Sequence, residues 1–286
     1  MSSPPARPTS TPPGQVPLGQ RAGGPLGRLP KGEVRQVIAV GSGKGGVGKS
    51  SVTVMMAAEL RRQGHEVGIL DADVTGPSVP HLLGLGGHLV DRGQGIEPAV
   101  TPQGLRNVSS QYLLEEGSTP VIWRGPLVTR LITQFFAGVH WGALDYLLID
   151  MPPGTSDVPL TVFQAIPIDG MVFVTTPQEL AGLIVRKAIN MARELHVPLL
   201  GLVENMKEVR CPHCRTSFSP YGESHARALA EEYDIPYLGG LPIDPRISET
   251  GDRGGLANYE DPALTEVVRA MVLSLREAQA RTLNVL

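Results

Sequence analysis

Cys211 and Cys214 are the only cysteines in the chain, separated by Pro212 and His213 in VRCPHCRTSF (209–218). This spacing lets both sulfurs grip one metal or close one small disulfide. Two thiolates fall short of the roughly four protein ligands of a closed zinc site or an iron–sulfur cluster. Either the pair does redox chemistry, or the missing ligands come from elsewhere. A redox pair of the thioredoxin kind opens a helix whose positive end acidifies the first thiol. Here RTSFSPYG follows, punctuated by Pro220 and Gly222, and predicts a loop.

A second group lies in GSGKGGVGKSSV (41–52), where Gly43 to Ser50 fit G-x-x-x-x-G-K-[ST] between an apolar run and a helical pattern. Gly43, Gly45, Gly46 and Gly48 free the backbone to turn N–H groups around an anion, with Val47 and Ser51 completing the loop. Such a loop binds the phosphates of ATP: Lys49 meets the β and γ groups, and the Ser50 hydroxyl ligates Mg²⁺. Lys44 is a further cation inside the loop, where the motif has no need of one; as an isolated feature it is a solvated charge.

Phosphate transfer also needs carboxylates. YLLID (146–150) is an apolar strand ending in Asp150, which suits a Mg²⁺ ligand acting through water, and MPPGTSD (151–157) follows as a mobile segment able to sense the γ-phosphate. LDADVTGPSVP (70–80) carries Asp71 and Asp73 on one side of extended chain, beside the phosphate loop. Either is also a fair turn former. Asn205, in ENM (204–206), has the donor and acceptor to match the edge of adenine and is equally at home as a turn residue.

The elements that must position these groups read as strands at 34–40, 66–71, 146–150, 171–176, 199–205 and 236–242, alternating with helices at 49–63, 178–195, 222–233 and 261–278. Near-continuous apolar strands between amphipathic helices predict an α/β fold: a mainly parallel, doubly wound sheet with helices on both faces. The last helix gathers Leu264, Val267, Val268, Met271, Val272 and Leu275 on one face. Glu266, Glu277, Arg269 and Arg276 mix on the other, so it is expected to pack on its own sheet. Leu127, Leu131, Ile132, Phe135 and Phe136 form a smaller apolar stripe, expected to be core or a dimer contact.

Residues 1–32 hold eight prolines, six glycines and four cations (Arg7, Arg21, Arg28, Lys31) with no acid, and are read as a disordered tail ahead of one domain over 33–286. The net charge of −3 offers no broad field for nucleic acid, no apolar run reaches the length of a membrane span, and two cysteines do not make a secreted scaffold. A cytoplasmic location is the expectation.

KGGVGKS (44–50) resembles the deviant phosphate loop of the dimeric ATPases that include septum-site and partition ATPases, the nitrogenase iron protein and the Mrp/ApbC iron–sulfur carriers. The order GSGKGGVGKSSV, DADVTGPSVP, DMPPGTSD, GLVENM with CPHC close behind, then LGGLPIDPRI is similar to the Mrp/ApbC branch over about residues 34 to 260. The resemblance implies that Lys44 reaches phosphates bound by a partner subunit and that Asp73 aligns the attacking water and supports Mg²⁺ with Asp150. It also implies that Asn205 meets the base and that Cys211 and Cys214 bridge a [4Fe–4S] cluster between two copies. A two-fold dimer would turn two thiolates into four, and zinc would be satisfied as well. Lys207, Arg210 and Arg215 are expected to favour the thiolates, with His213 a bystander. The function implied is a slow ATPase that assembles a cluster and passes it to apo-proteins, working with cluster assembly scaffolds. The rivals are a positioning ATPase without a cluster and a zinc-clasped targeting ATPase.

Overall fold

A computed structural model describes residues 29–91, 95–113, 125–154, 157–211, 213–214 and 216–283. The strands in chain order are β1 (Val34–Ser42), β2 (Val67–Asp71), β3 (Val90–Asp91), β4 (Ile96–Glu97), β5 (Ala99–Val100), β6 (Arg106–Ser109), β7 (Leu144–Asp150), β8 (Gly170–Thr175), β9 (Leu199–Glu204), β10 (Val209–Arg210), β11 (Ser217–Phe218) and β12 (Tyr237–Gly240). The helices are α1 (Lys49–Arg62), α2 (Val79–Leu83), α3 (Gly125–Ala137), α4 (Asp157–Ala165), α5 (Glu179–Glu194), α6 (Ala226–Glu232), α7 (Pro245–Asp252) and α8 (Pro262–Leu283).

Eight strands form one sheet in the order β12-β9-β8-β1-β7-β2-β6-β5. Every pairing in it is parallel except that of β5 on β6. The expected doubly wound α/β P-loop architecture is thus present. Alternation along each strand feeds two cores. On β1, Val37 and Ala39 face the layer holding α3 to α6, whereas Ile38 and Val40 face the layer holding α1, α2 and α8. Leu264, Val267, Val268, Met271 and Leu275 of α8 are buried in that second layer, as its pattern demands. Leu131, Ile132, Phe135 and Phe136 of α3 are core, while Leu127 is half exposed.

Because β1 is flanked by β7 and β8, the loop after it lies between the loops that follow those two strands. Parallel strands present all of these loops at one edge, which is where the site forms. Among the described residues no helix is long and apolar enough to cross a membrane. Of the stretch read as a tail, Leu29 to Lys31 are tied to the domain: the Leu29 N–H donates to Ala165 O at 2.9 Å, and Lys31 pairs with Asp169. Residues 1–28 lie outside the described residues.

Candidate functional site

The phosphate loop joins the end of β1 to the start of α1. Gly46 (φ 80°) and Gly48 (φ 77°) take the left-handed backbone that glycine adopts without penalty, and Gly48 serves as the N-cap of α1. No side chain caps that helix end, so its free N–H groups face the loop's interior, an arrangement suited to an anion.

Asp150 closes the site from β7. It is fully buried, and its Oδ1 lies 2.6 Å from Lys49 Nζ. The Ser50 hydroxyl donates to Oδ2 at 2.6 Å, and Thr53 Oγ1 lies 2.9 Å from Oδ1. A buried carboxylate holds its charge only with partners such as these. Thr53 escaped the motif reading, although it stands one helical turn after Lys49 and hence on the same face. The expected grouping of Lys49, Ser50 and Asp150 is assembled in one place. Ser50 and Asp150 are hard oxygen donors, the set that suits Mg²⁺.

Asp71 pairs in register with Asp150 on the adjacent strand and is likewise fully buried. Burial pushes its carboxyl up to about 7, with the Asp150 charge adding to the effect, while Lys49 and the Ser109 hydroxyl pull it back. Asp71 Oδ1 accepts the Asp73 N–H at 3.1 Å, and Oδ2 accepts the Ser109 hydroxyl at 3.1 Å, so Asp71 braces the loop after β2. Asp73 is partly exposed; its Oδ1 accepts the Thr75 hydroxyl at 2.9 Å and the Gly76 N–H at 3.2 Å.

Lys44 Nζ donates to Gln178 Oε1 at 3.0 Å in the loop between β8 and α5. Asn205 lies beneath the phosphate loop, 5% exposed, and its Nδ2 donates to Val47 O at 2.9 Å. The segment expected to sense phosphate is anchored at its start, with Met151 N–H on Val40 O and Gly154 N–H on Ser42 O; Thr155 and Ser156 lie outside the described residues.

Cys211 and Cys214 are free thiols at the tip of the β10–β11 hairpin, Cys211 partly exposed and Cys214 exposed. They do not open a helix. The Cys211 N–H donates to Thr216 O, and Cys214 Sγ lies 3.3 Å from Thr216 Oγ1. The Thr216 hydroxyl foremost, then the Thr216 backbone and the Cys211 thiol, lower the Cys214 thiol to about 7. Hydrogen bonds thus do what was expected of the basic neighbours. Lys207 sits over the Tyr237 ring and Arg210 pairs with Glu208, while Arg215 lies outside the described residues. His213 is exposed, and no group of three or more metal-ligating side chains occurs among the described residues.

Residues 33–275 match the NUBPL iron-transfer P-loop NTPases of the ParA group. The chain belongs to this family. An iron–sulfur cluster carrier protein of Methanocaldococcus jannaschii is 46% identical over 224 residues, covering 78% of this chain and 77% of that one. A cytosolic Fe-S cluster assembly factor, the Nubp2 homologue of Drosophila ananassae, is 44% identical over 251 residues, covering 85% and 96%. A nucleotide-binding protein of Archaeoglobus fulgidus, solved in complex with ADP and with cobalt found in it, is 44% identical with a TM-score of 0.73, covering 82% and 91%. The cell division ATPase MinD of Pyrococcus furiosus shares the fold at 19% identity and a TM-score of 0.61, covering 83% and 98%. As an iron-transfer NTPase, the chain carries its phosphate loop after β1 of the main sheet, and its cysteine hairpin, a two-stranded sheet of its own, follows β9 of that main sheet.

Proposed function

We propose that this iron-transfer NTPase works as an ATP-hydrolysing homodimer that assembles a [4Fe–4S] cluster and delivers it to apo-proteins, receiving iron and sulfide from assembly scaffolds. The observation that carries the reading is the pair of free thiols at an exposed hairpin tip, with no third ligand beside them among the described residues. A second copy related by a two-fold axis supplies the missing pair. The cluster is cargo, and its exposed mounting suits release. The ENM and CPHC segments adjoin, which favours this reading over a positioning ATPase. A cytoplasmic location agrees with two unpaired thiols.

In the proposed reaction the loop N–H groups and Lys49 hold the β- and γ-phosphates. Ser50, with Asp150 and Asp73 through water, would hold Mg²⁺, which supplies charge neutralisation at the phosphates. Asp73 aligns the attacking water, and the Asn205 amide turns its remaining donor and acceptor to the base. Lys44 leaves Gln178 to reach phosphates in the partner subunit, making ATP part of the dimer contact. Hydrolysis is slow because the site is completed only when two chains meet.

Anaerobic reconstitution with iron and sulfide tests the reading: about four irons per dimer and a broad visible absorption are expected, both abolished in Cys211→Ser. Stoichiometric zinc with no iron uptake overturns it.

A further inference from the structure

Asn205 sits at the junction of the two sites. Its side chain is buried against the phosphate loop so closely that a β-carbon on Gly48 would fall 2.4 Å from Asn205 Nδ2 and 3.7 Å from Met206 Cε. Its backbone N–H is held by Thr175 O at 2.8 Å, fixing it to the sheet. Cys211 follows only six residues later.

The chain between them has little slack. The Lys207 N–H donates to Leu241 O at 2.9 Å, the Ile243 N–H donates to Glu208 O at 2.7 Å, and Val209 bridges Ile243 in parallel fashion. Cys211 then closes the hairpin onto Thr216. The exception to this extended path is Met206, which takes a left-handed backbone at φ 60°. A bulky residue is seldom held there without surrounding structure to enforce it, and such positions cluster at switch regions.

We infer that Asn205 and Met206 are positioning residues that link the phosphate loop to the cysteine hairpin, so that nucleotide in the loop sets the freedom of the thiols. Asn205 takes up a shift of Val47 O directly, through its Nδ2 donor. Met206, packed toward Gly48 and backbone-strained, turns that shift into a rotation of the strand that carries Cys211. Filling the loop immobilises Val47 and hence the hairpin, so the thiols react more slowly. The inference rests on the hairpin being the cargo-holding element, but its readout needs no iron.

The test is the alkylation rate of Cys214 by iodoacetamide in metal-free protein, with and without saturating ADP, at concentrations where sedimentation shows single chains. Slowing of at least about fivefold is expected for the natural sequence, the lower end of coupling between linked sites. Asn205→Ala, which also gives up the contact proposed to the base, is expected to bind ADP more weakly by calorimetry and to lose the slowing even when ADP is raised to saturation. Met206→Gly accepts the left-handed backbone without strain; it is expected to fold, to bind ADP and to show reduced slowing, and it decides the matter if Asn205→Ala binds no ADP. An alkylation rate indifferent to ADP in the natural sequence, or equal slowing in the variants, overturns the link. A failure of iron uptake leaves this measurement intact, so the two readings fail separately.

Discussion

Lys49 Nζ lies 2.6 Å from Asp150 Oδ1 across 101 residues of sequence, with both groups shut away from water. The lysine proposed to meet phosphate and the carboxylate proposed to serve the metal therefore hold each other.

Lys49→Ala leaves Asp150 buried with only the Ser50 and Thr53 hydroxyls. Removing one partner of a buried pair typically costs about 3–5 kcal/mol. Urea unfolding of the nucleotide-free protein should show a loss of this order, and Lys49→Ala with Asp150→Asn should recover part of it. Both variants are expected to lose ATP hydrolysis.

Gly48→Ala should lower stability by about 1–3 kcal/mol through left-handed strain, and it also pushes on the Asn205 amide. Gly45→Ala meets nothing within 4 Å and has no left-handed backbone, so its thermal midpoint should stay near that of the natural chain. Calorimetric melts of the two nucleotide-free variants make the comparison.

Asp71 has its carboxyl raised by burial and by Asp150 to about 7, against 3.8 for an ordinary aspartate. Between these values the folded chain binds more protons than the unfolded chain. Its contribution to stability is thus full below the lower value and is lost as pH rises through the upper one. Asp71→Asn should flatten stability against pH across that window and gain relative stability on its alkaline side, read from urea midpoints at several pH values.

The Cys214 thiol, lowered to about 7 foremost by the Thr216 hydroxyl, is substantially thiolate at neutral pH. Its alkylation rate should rise with pH to a midpoint near that value. Thr216→Val removes the leading cause and should move the midpoint upward; an unmoved midpoint would show that the hydroxyl plays no part.

Gln178 holds Lys44 in the single chain. Gln178→Ala frees the amine, so acylation of Lys44, followed by peptide mass spectrometry, should speed up about threefold if this charge-assisted hydrogen bond contributes somewhat under 1 kcal/mol at an exposed site. Gln178→Glu should slow it.

The main strands were legible as apolar runs, and all six expected ones begin and end within two residues of their expected bounds. β6 was not, because RNVS has neither alternation nor an apolar run. It becomes a strand by pairing with β2 and by burying Asn107, whose Nδ2 donates to Ile69 O. The helix expected from 222 begins at Ala226, since Gly222 takes a left-handed turn at φ 82°. The unrecognised strand β6 also explains why Ser109, a partner of Asp71, was absent from the expected site.

Sequence by itself determined the phosphate loop, the carboxylate at the end of β7 and the cysteine pair, because glycine freedom, strand alternation and ligand spacing are properties of a few consecutive residues. Only the tertiary structure decided that Thr53 joins Lys49 and Ser50 on Asp150, that Gln178 holds Lys44, and that Asn205 lies under Val47 from 158 residues away. These contacts follow from strand order, which places the loops after β1, β7, β8 and β9 at one edge. The raised carboxyl of Asp71 follows from desolvation, which exists only once the sheet has closed over it.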